Sequence, residues 1–211
     1  MTVVEYTLLA ASSLFVIVDP IGAVPAFLAM TPQDSFAARA QMARFACGVM
    51  AGILLLFAFL GQTIFKLLGI TLPAFAIAGS IVLLMIALDM LRAQRSRVQE
   101  TQEETFAGTA KSDIAITPLA VPMLAGPGAI STTILLYGQA TTLAQHVALV
   151  CCILGVSFVT YVILRFAART SRWLSPIAMK LTTRIMGLLL TAVAIQFMIN
   201  ALRDLGLITK T

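Results

Sequence analysis

The chain has 211 residues, 60% of them hydrophobic and 11% charged, and its mean hydropathy is +0.99. So little polar side chain cannot cover a water-soluble globule, which excludes a soluble domain and points to an integral membrane protein. The net charge of +5 does not signal nucleic acid, because the Lys and Arg residues fall between apolar segments and not along one polar face.

A helix needs about 20 apolar residues to cross the hydrocarbon, and the chain offers six such segments joined by short polar connections. No basic residue precedes the first apolar run, so that run is expected to be a true span and not a cleaved signal. The first span covers residues 7–30 and contains Asp19-Pro20-Ile21-Gly22-Ala23-Val24-Pro25. Asp34 or Ser35 then caps the second span, residues 42–65, whose Gly48, Ala51 and Gly52 suit close helix contact. After the turn Gly69-Ile70-Thr71 the third span runs over 72–91, with Asp89 one helical turn before Arg92 as a boundary ion pair. The polar stretch that follows carries Arg92, Arg95 and Arg97 and then Glu100, Glu103 and Glu104, and reads as a solvated connection. Spans four to six cover 114–137, 143–166 and 185–205. Cys47, Cys151 and Cys152 lie in apolar runs without zinc-ligand spacing, and His146 sits in a short connection, so neither a metal nor another cofactor is expected.

With the N-terminus outside, eleven Lys and Arg residues flank the inner ends of the spans, among them Arg39, Arg44, Arg165 and Arg169, against Lys66, Arg203 and Lys210 outside. That bias places both termini on the outer face. An internal repeat organises the spans. Superposing Pro20 on Pro127 shifts the chain by 107 positions, and Gly79 on Gly187 by 108. The fold expected is therefore all-α and polytopic: a three-helix repeat over 1–93, a cytoplasmic connection over 94–112, and a second repeat over 113–211. Each unit has an odd number of crossings, so the second is inverted relative to the first, as in many secondary transporters.

Proline removes a backbone donor and glycine lets the chain leave helical geometry. Asp19-Pro20 therefore reads as an N-cap with proline at the first helical position, restarting a helix at mid-span, and Gly126-Pro127-Gly128 does the same in span four. Unpaired N–H groups at the restarts favour a carboxylate, and carbonyls near Val18 and Ala125 suit an ammonium group. Such a site fits a small zwitterion. The expected substrate residues are Asp19, Pro20, Ile21, Gly22, Ala23, Ala125, Gly126, Pro127, Gly128, Ala129 and Ser131. Asp19 is either a structural cap or a proton or sodium coupling site. Thr117, Ser131, Thr132 and Thr133 bond either their own backbone or substrate, and Gln196 and Asn200 either line the pathway or join helices.

These motifs, with Thr117-Pro118-Leu119-Ala120-Val121-Pro122 before the second break and Arg184-Ile185-Met186-Gly187-Leu188-Leu189-Leu190 opening span six, resemble the MarC family of six-span inner-membrane proteins nearly end to end. The resemblance implies a bacterial cytoplasmic-membrane protein related to SnatA-type transporters of small neutral amino acids, with glycine and alanine as expected substrates. Carried over, the family's broken-helix motifs fall on residues 19–25 and 126–131. Beside it stand an exporter of another small solute and three further alternatives. An intramembrane enzyme needs facing carboxylates, yet Asp19 and Asp89 fall at different depths; a scaffold gains nothing from two costly breaks; and spans one and four turn back as re-entrant hairpins if Pro20 and Pro127 reverse the chain. Oligomeric state is open, and a homo-oligomer is compatible with the chain.

Overall fold

The computed structural model describes residues 1–31, 34–92, 115–170 and 176–207, and these form helices and short turns without strands. In chain order the helices are α1 (Val3–Val18), α2 (Pro20–Met30), α3 (Phe36–Leu68), α4 (Leu72–Arg92), α5 (Ala115–Leu124), α6 (Pro127–Gln139), α7 (Leu143–Thr170) and α8 (Pro176–Asp204). Among the described residues five stretches are long and apolar enough to cross a membrane: Val3–Met30, Phe36–Leu68, Leu72–Arg92, Leu143–Arg169 and Gly187–Asp204. The expected fourth span is realised in two pieces, the π-wound α5 of 10 residues and α6 of 13, each shorter than the roughly 20 residues a crossing takes. The connection expected over 94–112 lies outside the described residues, as do the side chains of Asp89 and Thr117.

The helix ends follow local chemistry. Thr2 and Glu5 form a reciprocal capping box at the start of α1. Ser35, not Asp34, caps α3: its hydroxyl accepts from the Ala38 N–H at 3.3 Å. At the far end of α3, Gly69 adopts the left-handed conformation (φ 63°), and the Ile70 N–H donates back to the Phe65 carbonyl at 3.0 Å, closing the helix. Helix α3 overruns its expected span at both ends, because hydropathy marks only the hydrocarbon crossing whereas helical winding continues into the headgroup layer.

Packing runs mainly between the two halves of the chain. α1 packs on α6 and α7, α2 on α5, α7 and α8, α3 on α5, α6 and α7, and α4 most extensively on α8. On α1 a stripe at four-residue spacing, Tyr6, Ala10, Leu14 and Val18, is buried, and the Tyr6 hydroxyl donates to the Leu136 carbonyl of α6 at 2.8 Å. Glycine sets the closest approaches. A Cβ at Gly187 would lie 2.9 Å from the Ala87 carbonyl oxygen, so α4 and α8 meet almost backbone to backbone. A Cβ at Gly79 would lie 2.5 Å from the Pro127 ring, which seats α4 against the start of α6. The contact expected at Gly48 and Gly52 is not made: both are exposed, and a side chain there would meet nothing within 4 Å. Gly61, on the same helix, takes that role against Ile134.

Arg39, read from sequence only as a topology charge, also holds the α2–α3 corner. It is 5% exposed, and its Nε and one terminal nitrogen both donate to the Thr31 carbonyl at the end of α2. Arg39→Ala should leave that buried oxygen short of donors, at a cost of about 2 kcal/mol, and lower the thermal midpoint by roughly 4–8 °C. Thermal melting of the purified protein checks this; an unchanged midpoint would show that the clasp adds nothing.

Candidate functional site

At the first break Asp19 serves two helices. Its backbone is left-handed (φ 45°, ψ 66°), its N–H closes α1 on the Phe15 carbonyl at 3.1 Å, and its Oδ1 accepts from the Gly22 N–H at 3.0 Å, capping α2. Asp is one of the few residues that enters this region at modest cost, because its short side chain bonds locally. A Cβ at Gly22 would fall 2.0 Å from Asp19 Oδ2, so any side chain there would push the carboxylate out of its capping position. The Ala23 N–H returns to the Asp19 carbonyl at 3.0 Å. Of the expected donors at this restart, Gly22 and Ala23 are thus already engaged, and Ile21 alone keeps a spare N–H. The acceptors are the groups in surplus. Pro20 has no N–H to give the Val16 carbonyl, and among the described residues nothing donates to the carbonyls of Val16, Ile17 or Val18. Asp19, Ile21 and Gly22 are exposed, while Pro20 and Ala23 are buried.

The second break has the opposite character. Gly126 is extended (φ −74°, ψ 171°) and caps α6 with no side chain, and Pro127 takes the first helical position. The Ile130 N–H bonds the Gly126 carbonyl at 3.0 Å, which leaves the N–H groups of Gly128 and Ala129 unclaimed in the first turn. Three residues beyond Gly128, and so on the same helix face, Ser131 Oγ is enclosed without a hydrogen-bond partner, the one such side-chain atom among the described residues. Thr133 does bond its own backbone, donating to the Ala129 carbonyl at 2.7 Å. Ala125, Gly126, Pro127 and Ala129 are buried, and Gly128 and Ser131 half-buried.

The two breaks adjoin. A Cβ on Gly128 would lie 3.2 Å from Ile17 Cγ1, two residues before Asp19, and 3.2 Å from Phe197 Cζ on α8. Ile17 and Phe197 thus close over the second break, a role that an ordinary isoleucine and phenylalanine do not announce in sequence. The unclaimed Val16 carbonyl of the first break was readable, because Pro20 removes its donor. Gln196 and Asn200 bond each other (Nε2 to Oδ1, 2.9 Å) on the exposed side of α8, next to Phe197 but not across to another helix. His146 stacks edge-on against Tyr137 at 4.6 Å, at the far end of α6 from the break. Among the described residues no group of three His, Cys, Asp or Glu side chains gathers to hold a metal.

The sequence profile of the MarC family integral membrane proteins matches residues 4–205, which takes in both breaks. The chain belongs to the MarC family. Its MarC relatives include UPF0056 membrane protein MJ1677 of Methanocaldococcus jannaschii, 37% identical over 199 residues covering 94% of this chain and 97% of the relative. UPF0056 membrane protein YvbG of Bacillus subtilis is 36% identical over 87% of both chains, and YhcE of Escherichia coli is 33% identical over 91% of this chain and 89% of its own. No solved structure matches the chain. As a MarC protein it is an integral, multi-pass membrane protein with bacterial relatives, in contact with the lipid bilayer.

Proposed function

We propose that this MarC protein is a secondary transporter of small neutral amino acids such as glycine and alanine, working by alternating access around the two breaks. The observation that carries the reading is the opposed surplus of backbone groups at adjoining breaks inside apolar spans. At the first break lie a carboxylate and three unclaimed carbonyls; at the second lie two unclaimed N–H groups and the unpartnered Ser131 hydroxyl. In hydrocarbon each unsatisfied polar group costs several kcal/mol, so these groups need water, an ion or a ligand. A zwitterion satisfies both sets at once, with its ammonium group at Asp19 and the Val16–Val18 carbonyls and its carboxylate at Gly128 and Ala129. The small residues at the junction, Gly22, Ala23, Gly128 and Ala129, suit a substrate as small as glycine or alanine. Asp19 is then the group that couples transport to a proton or sodium gradient.

The reading includes an inverted repeat, supported by the helix contacts. Exchanging α1 to α4 with α5 to α8 turns the α1–α7 contact into α5–α3, α2–α7 into α6–α3, α2–α8 into α6–α4 and α1–α6 into α5–α2, all of them made. The α3–α7 and α4–α8 contacts map onto themselves, as contacts on a pseudo-two-fold axis would. In the cycle one half rocks against the other, and Ile17 and Phe197 separate from Gly128 to admit substrate. In this reading the protein sits in the cytoplasmic membrane, and the charge bias supports both termini facing the periplasm.

Uptake of radiolabelled glycine or alanine into proteoliposomes, with and without an imposed proton or sodium gradient, tests the proposal. Accumulation that follows one gradient and collapses with it is expected; no uptake of any small neutral amino acid under either gradient would overturn it.

A further inference from the structure

Away from the breaks, the end of the bundle that carries Arg44, Arg165 and Arg169 holds a side-opening cavity of about 780 Å³ between the start of α3 and the last turns of α7. Its walls include Phe36, Phe158, Tyr161 and Phe166, with Arg165 and Arg169 at one end. A smaller hollow of about 250 Å³ shares Tyr161 and Arg165 with it and adds Arg44. Arg165 is held in place: its Nη1 donates to the Tyr161 hydroxyl at 2.6 Å, and its guanidinium lies 5.9 Å from that ring's centroid. No acidic side chain among the described residues pairs with Arg44, Arg165 or Arg169.

Depth decides what fits. Leu143–Arg169 is 27 residues long, about 40 Å of helix, which equals a bilayer with its headgroups. Arg165 and Arg169 at its end therefore stand at headgroup level. Phe158 lies eleven residues back, roughly 17 Å along the axis and among acyl chains. One hollow thus joins a cationic pole at phosphate depth, with Phe166 beside Arg165, to Phe158 at acyl depth, and the two rings are 67% and 65% exposed. Guanidinium groups match phosphate oxygens in a fixed fork.

We propose that this groove is a binding site for an anionic phospholipid, its phosphate held by Arg165, Arg169 and Arg44 and one acyl chain passing Phe166 to lie along Phe158. Basic pockets between spans at a membrane face recognise such headgroups. The bound lipid braces the α3–α7 contact, one of the joints between the two halves.

The test counts lipids retained on the purified full-length protein by native mass spectrometry during titration with phosphatidylglycerol or phosphatidylcholine. Wild type should prefer phosphatidylglycerol, and Arg165→Gln/Arg169→Gln should reduce that preference by about 30-fold. Arg165→Lys/Arg169→Lys should keep part of it, and Arg203→Gln, at the last turn of α8, all of it. Inorganic phosphate at millimolar concentration should not displace the lipid. Equal retention of both lipids by wild type overturns the proposal. So does preference retained in the double glutamine variant, preference lost equally in Arg203→Gln, or displacement by phosphate alone.

Discussion

Asp19→Asn should insert and melt within a few degrees of wild type, yet reduce glycine uptake by roughly 10- to 100-fold. The two halves of that result separate the two roles of the residue. As a cap, Asp19 gives one side-chain oxygen to the Gly22 N–H and adopts a left-handed backbone. Asparagine keeps both properties, since it caps as well as aspartate and tolerates the same conformation. As a binding group, Asp19 contributes a charge, which asparagine lacks. Charged hydrogen bonds are worth about 1.5–3 kcal/mol, and that sets the size of the expected loss. Asp19→Ala removes both roles and should add about 1 kcal/mol of lost capping to the transport defect. Full uptake by Asp19→Asn would make the carboxylate a cap and nothing more.

Gly126→Ala should be the most damaging single-methyl change at the second break. The added Cβ would lie 2.5 Å from the Pro122 carbonyl oxygen, and because that neighbour is backbone no rotamer change relieves the contact. The turn has to open by several tenths of an ångström, carrying the Gly128 and Ala129 N–H groups with it. Displacements approaching 1 Å cost on the order of a hundredfold in a positioned site, and overpacking costs about 1–3 kcal/mol in stability. Gly48→Ala and Gly155→Ala are the controls. Both glycines are helical and face open space, so alanine there should be neutral or stabilising by up to about 1 kcal/mol. Parallel melting and uptake measurements on the three variants check the ranking. Equal behaviour of all three would mean that the second break has no special geometry.

Both breaks were legible in the sequence because proline and glycine act on the backbone locally, whatever surrounds them: Pro20 and Pro127 each take the first position of a restarted helix. The turn at Gly69 was legible for the same reason. What sequence could not supply came from tertiary contact. Gly48 and Gly61 are equivalent as letters, and only the neighbour each meets makes one a packing site. Arg39 carries the same charge as Arg44, yet its position lets it fold back on Thr31 while Arg44 stays exposed. The two breaks looked alike as proline-glycine clusters. Their chemistry diverges because Asp19 spends its carboxylate on one set of donors and Gly126 has no side chain to do so. Ile17 and Phe197 were invisible as site residues, since only the approach of α1 and α8 to Gly128 gives them a role.

The most direct measurement of the two-pole site is counterflow of radiolabelled glycine in proteoliposomes, challenged with compounds that keep one pole each. Unlabelled glycine and alanine should compete, whereas glycinamide, without the carboxylate, and acetate, without the ammonium group, should not. Competition by either one-pole compound as strong as that by glycine would contradict a site in which Asp19 and the α6 amino terminus act together.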